Sequence, residues 1–349
     1  MAASAIAPML AKLGSSSKNV TEDQLNDSSA VLLTLSNNRR LAQVFYEADT
    51  IQASVKFMRS HSIKRFGMSY ECLLLLMGRV ASENEDAANA IIKNKGLELV
   101  HKCTYDKRSN RRLRSHAALM LLGIAVHPNC RLATCGSRTL GCIRELLDRA
   151  VYMASKRPRS QQSSSKIRIR QGDITAGNGG PARPSTVASN QRHLEADQSS
   201  LLAWSCCAFL WYASSHASCR LPIVRAGLTK SVIHFAESGT VDIIEKFERQ
   251  DAFKYNEEFF NIEHKAEVDL CNKSRARMAA AGCLWNLARD TIARSVVTEL
   301  KGSVALMRIV EGVVTDPVHG RKSIAEMFDE PEKNGLHLEI MYIKKNKAL

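Results

Sequence analysis

The sequence predicts an all-α protein in which about five degenerate helical repeats stack as a right-handed superhelical solenoid with two insertions. Three observations predict this class. Apolar residues recur at helical spacing, one helical plan recurs along the chain, and no long segment alternates apolar and polar residues as a half-buried strand would. The stretch ARMAAAGCLWNLARD (276–290) shows the helical spacing, and the small residues in its middle suggest that another helix packs very close.

The repeated plan is an alanine-rich apolar helix, a polar break, an arginine, and two further apolar helices separated by a glycine. Five segments follow this plan with varying fidelity: 28–60, 69–103, 111–148, 198–238 and 273–312. The arginines of the plan are Arg131, Arg220 and Arg294, and its glycines are Gly96, Gly136, Gly227 and Gly302. One such unit cannot bury its apolar face alone, so neighbouring units must stack.

The last repeat resembles the armadillo repeat family. CLWNLA (283–288) matches the end of the family's third helix, and KGSVALMRIV (301–310) matches the glycine corner and second helix that follow it. The resemblance implies an armadillo-like solenoid that binds other proteins. In the armadillo proteins that bind peptides, the asparagine at the position of Asn286 bonds the backbone of an extended peptide.

Asn286 has no asparagine counterpart in the other repeats, where the matching positions hold Arg79, Gly123 and Trp211. A long peptide needs a regular ladder of such side chains, because its main-chain groups recur along the whole strand. A buried amide also needs a hydrogen-bond partner. Asn286 therefore either contacts the backbone of a partner or bonds a neighbouring helix or loop, and the sequence leaves both interpretations open.

The chain divides by composition. An N-terminal segment comes first, and the repeats are interrupted by a Ser, Gly and Pro-rich loop that has almost no large apolar residues. Such a loop cannot bury enough surface to offset the entropy of ordering its backbone, so we expect it to be disordered. The predicted divisions are the N-terminal segment 1–27, repeats 28–152, the basic loop 153–197, repeats 198–315 and the C-terminal extension 316–349.

Basic charge concentrates in one part of the chain. Residues 107–170 hold fifteen Lys and Arg against two acids, a net charge of +13 out of the chain's +14. A field of this kind favours an acidic partner, and acidic cytoskeletal surfaces such as tubulin tails fit that description. The alternative is a nucleic-acid-associated protein, although only Tyr105 and Tyr152 are nearby to stack on bases. We expect six residues to form one electropositive partner-binding surface: Arg111, Arg112, Arg114, Lys156, Arg157 and Arg159.

An acidic–aromatic insertion, residues 239–272, interrupts the later repeats. It holds nine acids and four bases, and five of the chain's seventeen Phe and Tyr residues. Too aromatic for a free linker, the insertion is expected to fold as helix or dock on the solenoid. Packing and a partner-facing patch both remain open for it.

No motif for catalysis or for a cofactor is present in the sequence. It contains no phosphate-binding glycine loop, no nucleophile elbow and no H-E-x-x-H pair. His127, Cys130, Cys135 and Cys142 lie within 16 positions, but their spacing and apolar neighbours favour core thiols over a metal site. We therefore expect a non-enzymatic protein with no cofactor and no metal.

Cysteine usage and hydropathy indicate the compartment. No C-x-x-C pair occurs among the ten cysteines, most of which lie in apolar helical runs, as free thiols in a reducing compartment do. No apolar run approaches the length of a membrane span. We expect a cytoplasmic protein, with association to the cytoskeleton, and the tetrad KRPR (156–159) makes the nucleus the alternative.

Overall fold

A computed structural model describes residues 2–14, 21–155, 186–237 and 262–307 of the chain. All regular structure in these four ranges is helical, apart from turns and bends. No helix among them combines the length and the apolar character that a membrane crossing requires. The all-α solenoid that the sequence predicts is confirmed.

Fifteen α-helices lie within the described ranges. In chain order they are α1 (Ala2–Gly14), α2 (Glu22–Leu35), α3 (Ala42–Glu47), α4 (Thr50–Ser60), α5 (Ile63–Glu83), α6 (Glu85–Lys93), α7 (Leu97–Tyr105), α8 (Arg111–Ala125), α9 (Pro128–Thr134), α10 (Ser137–Ser155), α11 (Thr186–Ser215), α12 (Ala217–Arg225), α13 (Thr229–Glu237), α14 (Ile262–Ala288) and α15 (Thr291–Glu299). A short 3-10 helix, Arg39–Leu41, precedes α3, and residues 302–307 are again helical.

These helices form two stacked rows joined by short connecting helices. The first row is α2, α5, α8, α11 and α14, in which each helix packs along the next. The second row is α1, α4, α7, α10 and α13. The connecting helices α3, α6, α9, α12 and α15 lead from the end of each first-row helix toward the second row. Each repeat is thus a connecting helix, a second-row helix and a first-row helix.

The corners between connecting and second-row helices form where the sequence places glycine. Gly227, between α12 and α13, has φ +73°, a backbone conformation that residues with a Cβ rarely adopt. Gly96, between α6 and α7, lies so close to Ile91 that a Cβ would come within 2.4 Å of its Cγ2 atom. The glycine corners predicted at these two positions are present.

The core runs along both rows. The largest fully buried side chains include Trp204, Phe209, Trp211 and Tyr212, all on α11. Nine of the cysteines are free and buried, which agrees with the interpretation of the thiols as core residues. The alanines and the glycine in the middle of α14 face α11 at close range, because a Cβ on Gly282 would come within 2.3 Å of the Trp211 indole.

Helices continue past three of the boundaries that composition suggests. α10 runs to Ser155 and α11 begins at Thr186, so both ends of the expected loop 153–197 are helical. Extending a helix that is already packed costs little, since only its nucleation is expensive. The N-terminal segment likewise contributes α1, whose Ile6 and Leu13 are buried against the array. Residues 156–185, 239–261 and 316–349 lie outside the described ranges. Disorder in the middle of the loop therefore stays a prediction.

Candidate functional site

Asn286 is buried between two first-row helices. It is 1% exposed, and its amide Nδ2 donates to the Trp211 carbonyl at 3.4 Å and to the Ser214 hydroxyl at 3.3 Å, both on α11. Its Oδ1 atom has no hydrogen-bond partner in the part of the chain that is described. The side chain therefore has almost no surface to offer a partner. Asn286 is reassigned from partner contact to the structural alternative, a bond between neighbouring helices.

Arg79 occupies the matching position of an earlier repeat and makes the matching bonds. Its Nη1 group donates to the Leu33 carbonyl at 3.1 Å and to the Ser36 hydroxyl at 3.2 Å, on the preceding first-row helix. Burial lowers the pKa of Arg79 to about 10. Leu33 and Ser36 have the same spacing as Trp211 and Ser214. The position that could have formed a peptide-binding ladder thus ties each of these repeats to the one before it.

Gly123 holds the same position on α8 and serves close packing instead. A Cβ on Gly123 would lie 2.2 Å from the Gly78 carbonyl oxygen on α5, so the two helices touch backbone to backbone. In the repeats that are described, this position therefore holds a buried or half-buried side chain or a glycine, which has no side chain. A regular asparagine ladder for an extended peptide is not formed there.

The repeated arginines also have structural roles. The Nε atoms of Arg131, Arg220 and Arg294 each donate to the carbonyl six residues earlier, at 2.9, 3.0 and 2.6 Å. These carbonyls lie at the ends of first-row helices, where backbone acceptors lack helical partners. The arginines of the plan therefore cap the helix ends and fix the corners of the solenoid.

The basic residues lie at a different place, the turn edge. We use this name for the edge at residues 106–110, where α7 ends and α8 begins. Arg111, Arg112 and Arg114 stand at the start of α8, just after this turn. Lys156, Arg157 and Arg159 follow the end of α10 directly in sequence and lie outside the described residues.

Arg111 and Arg114 lie near another arginine, Arg149 of α10. Burial lowers the pKa of the Arg114 guanidinium, and Arg149 and Arg111 lower it further because like charges lie close by. Arg149 itself bonds Glu145 at 2.7 Å on α10, and that carboxylate partly offsets the repulsion. Arg111 and Arg149 therefore lie near enough to Arg114 to act on its charge, and Arg149 is paired with Glu145.

Arg112 points elsewhere. Its Nε atom pairs with Glu71 on α5 at 3.2 Å. The Glu71 carboxylate also accepts a hydrogen bond from Asn110 at 2.8 Å, so it helps to hold the start of α8. Arg112 is thus engaged with the first row, and the structure does not bring it into the arginine cluster. Arg149, which sequence reasoning did not single out, takes its place there.

Exposed tyrosines stand beside this cluster. Tyr105, the last residue of α7, is 48% exposed, and Tyr152 on α10 is 55% exposed. The pKa of the Tyr105 phenol is raised by burial first and then by the nearby Cys142 and Glu145 of α10. Tyr152 follows Arg149 by three residues and so lies on the same helix face. We define the basic edge as Tyr105, Lys107, Arg108, Arg111, Arg114, Arg149 and Tyr152.

The residues weighed as metal ligands are not gathered into a site. Cys130, Cys135 and Cys142 are buried, and His127 bonds the Ala81 carbonyl at 2.6 Å. In the portion of the chain that is described, no group of three or more His, Cys, Asp or Glu could hold a metal ion.

Similarity to known proteins is found in structure and not in sequence. No family model matches the chain, and no curated protein matches it. A crystal structure of an engineered protein from the Northeast Structural Genomics Consortium is 13% identical, covers 96% of both chains and gives a TM-score of 0.55. The designed armadillo repeat protein YIII(Dq)4CqI is 12% identical, covers 96% of this chain and 99% of that one, and gives a TM-score of 0.56. The two rows, the connecting helices and these neighbours together show that the chain has an armadillo-like repeat fold.

Proposed function

We propose that the chain is a non-enzymatic scaffold that binds an acidic protein segment at the basic edge. An armadillo-like fold suggests a protein-interaction role in general. The observation that carries the specific proposal is that Arg111 and Arg149 act on the charge of Arg114, beside the Arg149–Glu145 pair.

The energetics of this cluster support a binding role. Burial first, and then the charges of Arg149 and Arg111, lower the pKa of Arg114, so the fold penalises the charge of this one side chain. Perturbed ionisable groups of this kind occur preferentially at functional sites. A carboxylate from a partner would relieve the repulsion, and an Arg–carboxylate pair can form two parallel hydrogen bonds.

The sequence adds further basic charge directly after α10. Lys156 follows Arg149 by seven residues, so its ammonium stays within about 25 Å of the cluster in any conformation. Arg157 and Arg159 come directly after it. Such charges act mainly on the rate of encounter with an acidic partner, and their effect is screened beyond roughly 8 Å at physiological ionic strength.

The proposed partner is an acidic protein surface, and the acidic tails of cytoskeletal proteins such as tubulin fit that chemistry in the cytoplasm. Nucleic acid is the second candidate, with a nuclear location. The exposure of Tyr105 and Tyr152 beside arginines favours it, because aromatic side chains stack on bases. The acidic protein is preferred because two tyrosines are few for stacking on the successive bases of a nucleic acid.

A matched pair of charge-reversal variants tests the proposal. The edge variant carries Lys107→Glu, Arg108→Glu and Arg111→Glu. The control variant carries Lys93→Glu, Lys95→Glu and Lys301→Glu, at exposed positions on or next to the connecting helices α6 and α15. Both variants change the net charge equally, so they separate a local site from a general effect of charge.

Fluorescence anisotropy with labelled polyglutamate and with duplex DNA, at low and at physiological salt, gives the readout. We expect the edge variant to bind polyglutamate at least about tenfold more weakly, since rim and buried charges together cost more than 1.4 kcal/mol. The control variant should stay within about threefold of the original chain. Equal losses in both variants would contradict a site at the basic edge, and tighter binding of DNA would favour the second candidate.

A further inference from the structure

We propose that Cys135 and Cys219 form a reversible disulfide when a peroxide oxidises the chain, and that this bond joins two neighbouring repeats covalently. The inference goes beyond the proposed function and does not depend on it, because the two thiols lie between the connecting helices α9 and α12. It assigns a modification site, with a peroxide as the co-reactant, to thiols that are free in this structure.

The two thiols meet where successive connecting helices touch. Cys135 directly follows α9, Cys219 lies in the first turn of α12, and the two helices pack against each other. A side-chain hydrogen bond joins the two thiols. A disulfide needs its sulfur atoms about 2.05 Å apart and its Cα atoms about 4.4–6.8 Å apart. Two thiols that already share a hydrogen bond need only a small approach to reach that geometry.

A second contact holds α9 against the start of α12. Arg131 lies four residues before Cys135, and its Nη1 group donates to the Ser215 hydroxyl at 2.7 Å. Ser215 is the last residue of α11, just before α12 begins. Arg131 also donates to the Ala125 and Val126 carbonyls, each at 2.9 Å, so this side chain is fixed on both sides of the junction. The approach of the two thiols is therefore part of a contact that the fold maintains.

The preceding repeat has the same contact with a different partner. Cys130 of α9 and Cys219 of α12 each lie three residues after the N-cap residue of their helix. The Cys130 thiol donates to the Asn89 amide oxygen on α6 at 3.5 Å. This position therefore reaches the preceding connecting helix in both repeats, and it finds an amide in the first and a thiol in the second.

The surroundings of the pair make Cys219 the nucleophile. The hydrogen bond from Cys135 lowers the pKa of Cys219; burial opposes this effect, and the nearby Arg131 guanidinium adds to the lowering. The same hydrogen bond, followed by burial, raises the pKa of Cys135. Cys219 is 0% exposed, whereas Cys135 keeps 6% of its surface and stands beside the exposed Gly136. A small peroxide therefore approaches the pair from the Cys135 side.

The reaction balances with two thiols and one peroxide. The Cys219 thiolate attacks one peroxide oxygen, so an S–O bond forms, the O–O bond breaks, and the departing oxygen takes up the proton that Cys219 released. The Cys135 sulfur then attacks the sulfur of the Cys219 sulfenic acid. The S–S bond forms, the S–O bond breaks, and the hydroxide leaves as water with the Cys135 proton. The two thiols lose two electrons, which reduce the peroxide, and a thiol reductant reverses the change.

The bond would connect the repeats on either side of the basic loop. Between Cys135 and Cys219 the chain contains α10, the loop 153–197 and α11. A disulfide that closes a long loop restricts the unfolded chain more than one that closes a short loop. We therefore expect the oxidised chain to unfold at a higher urea concentration than the reduced chain.

Peptide mapping of the folded full chain after treatment with hydrogen peroxide tests the pairing. The dose is set by the exposed Met68 and Met307, whose conversion to sulfoxide shows that the oxidant has acted. Digestion without reductant and tandem mass spectrometry should find Cys135 joined to Cys219. Cys130 is the matched control, because it is equally buried but faces an amide, and it should remain a free thiol.

Two serine variants separate the pair from a general effect of oxidation. In the Cys130→Ser chain, as in the original chain, peroxide should form the link and raise the urea midpoint, and dithiothreitol should reverse both changes. The Cys135→Ser chain should lose both responses to peroxide.

Three results would overturn the inference. The first is that Cys135 and Cys219 stay free at a dose that has oxidised Met68. The second is that Cys135 links to Cys283, a third thiol that lies near it. The third is that the Cys135→Ser chain keeps the rise in urea midpoint.

Discussion

Replacing Gly123 by alanine should destabilise the solenoid at the close backbone contact between α5 and α8. The added Cβ would lie 2.2 Å from the Gly78 carbonyl oxygen and 3.1 Å from the Gly78 Cα. A carbon and a carbonyl oxygen normally approach to about 3.3–3.6 Å, so α5 and α8 would have to separate by about 1 Å. The atoms that must move belong to the backbone, and no flexible side chain can turn away to make room.

The expected magnitude combines two opposing terms. Overpacking a core typically costs about 1–3 kcal/mol, and a backbone obstacle places this site at the upper end. Alanine in a helix interior gains about 1 kcal/mol over glycine from its helix propensity. The net loss should therefore be about 2 kcal/mol, a fall of roughly 3 °C in Tm for a chain of 349 residues.

Gly141→Ala is the matched control. Gly141 lies inside α10, and a Cβ there would meet nothing within 4 Å. The same substitution should then stabilise the protein by about 0.4–1 kcal/mol through the backbone entropy of the unfolded chain. Urea and thermal melts of both variants give the comparison. A Gly123→Ala chain as stable as the Gly141→Ala chain would refute the backbone contact between α5 and α8.

Three further predictions concern stability and use urea melts. Leu284→Ala should cost about 2–5 kcal/mol because this side chain is fully buried, and a negligible loss would contradict the packing of α14. Arg131→Met should cost about 2–3 kcal/mol, since it leaves buried carbonyls at the end of α8 unpaired. Arg294→Met, at an exposed corner, should cost less than about 1 kcal/mol. Equal losses in the two variants would contradict the role of Arg131 in capping the helix end. Burial lowers the pKa of His116 to about 4, so the unfolded chain takes up a proton below pH 6.5 that the folded chain refuses. Stability should therefore fall between pH 6.5 and 4 by up to about 1.4 kcal/mol per pH unit, and His116→Gln should flatten that slope.

The helical plan could be predicted because residues that are neighbours in sequence determine it. Apolar spacing along α14 and the glycines at 96 and 227 specify a helix and a corner from neighbouring residues alone. The residues at which the helices begin and end were harder to predict from the sequence. α11 begins at Thr186, within sequence that has few large apolar residues, because a helix anchored by a buried stretch can extend into polar sequence.

The roles of single polar residues depended on contacts between repeats. Asn286 and Arg79 donate hydrogen bonds to carbonyl groups 75 and 46 positions earlier in the chain, and no local pattern shows which carbonyl each one reaches. Arg149 joins Arg111 and Arg114 for the same reason, since the register between α8 and α10 is set by the stacking of repeats. The basic region could be predicted from charge, but the residues that meet within it could not.

Site-specific photo-cross-linking tests the central claim, that acidic partners bind at the basic edge. A photo-reactive phenylalanine analogue would replace Tyr105, Tyr152 or Leu132; Leu132 on α9 is 53% exposed, comparable to the two tyrosines, but stands away from the turn edge. Illumination with labelled polyglutamate at low salt should attach the label at positions 105 and 152 and leave position 132 unlabelled. Labelling at position 132 that equals or exceeds labelling at 105 and 152 would contradict the claim.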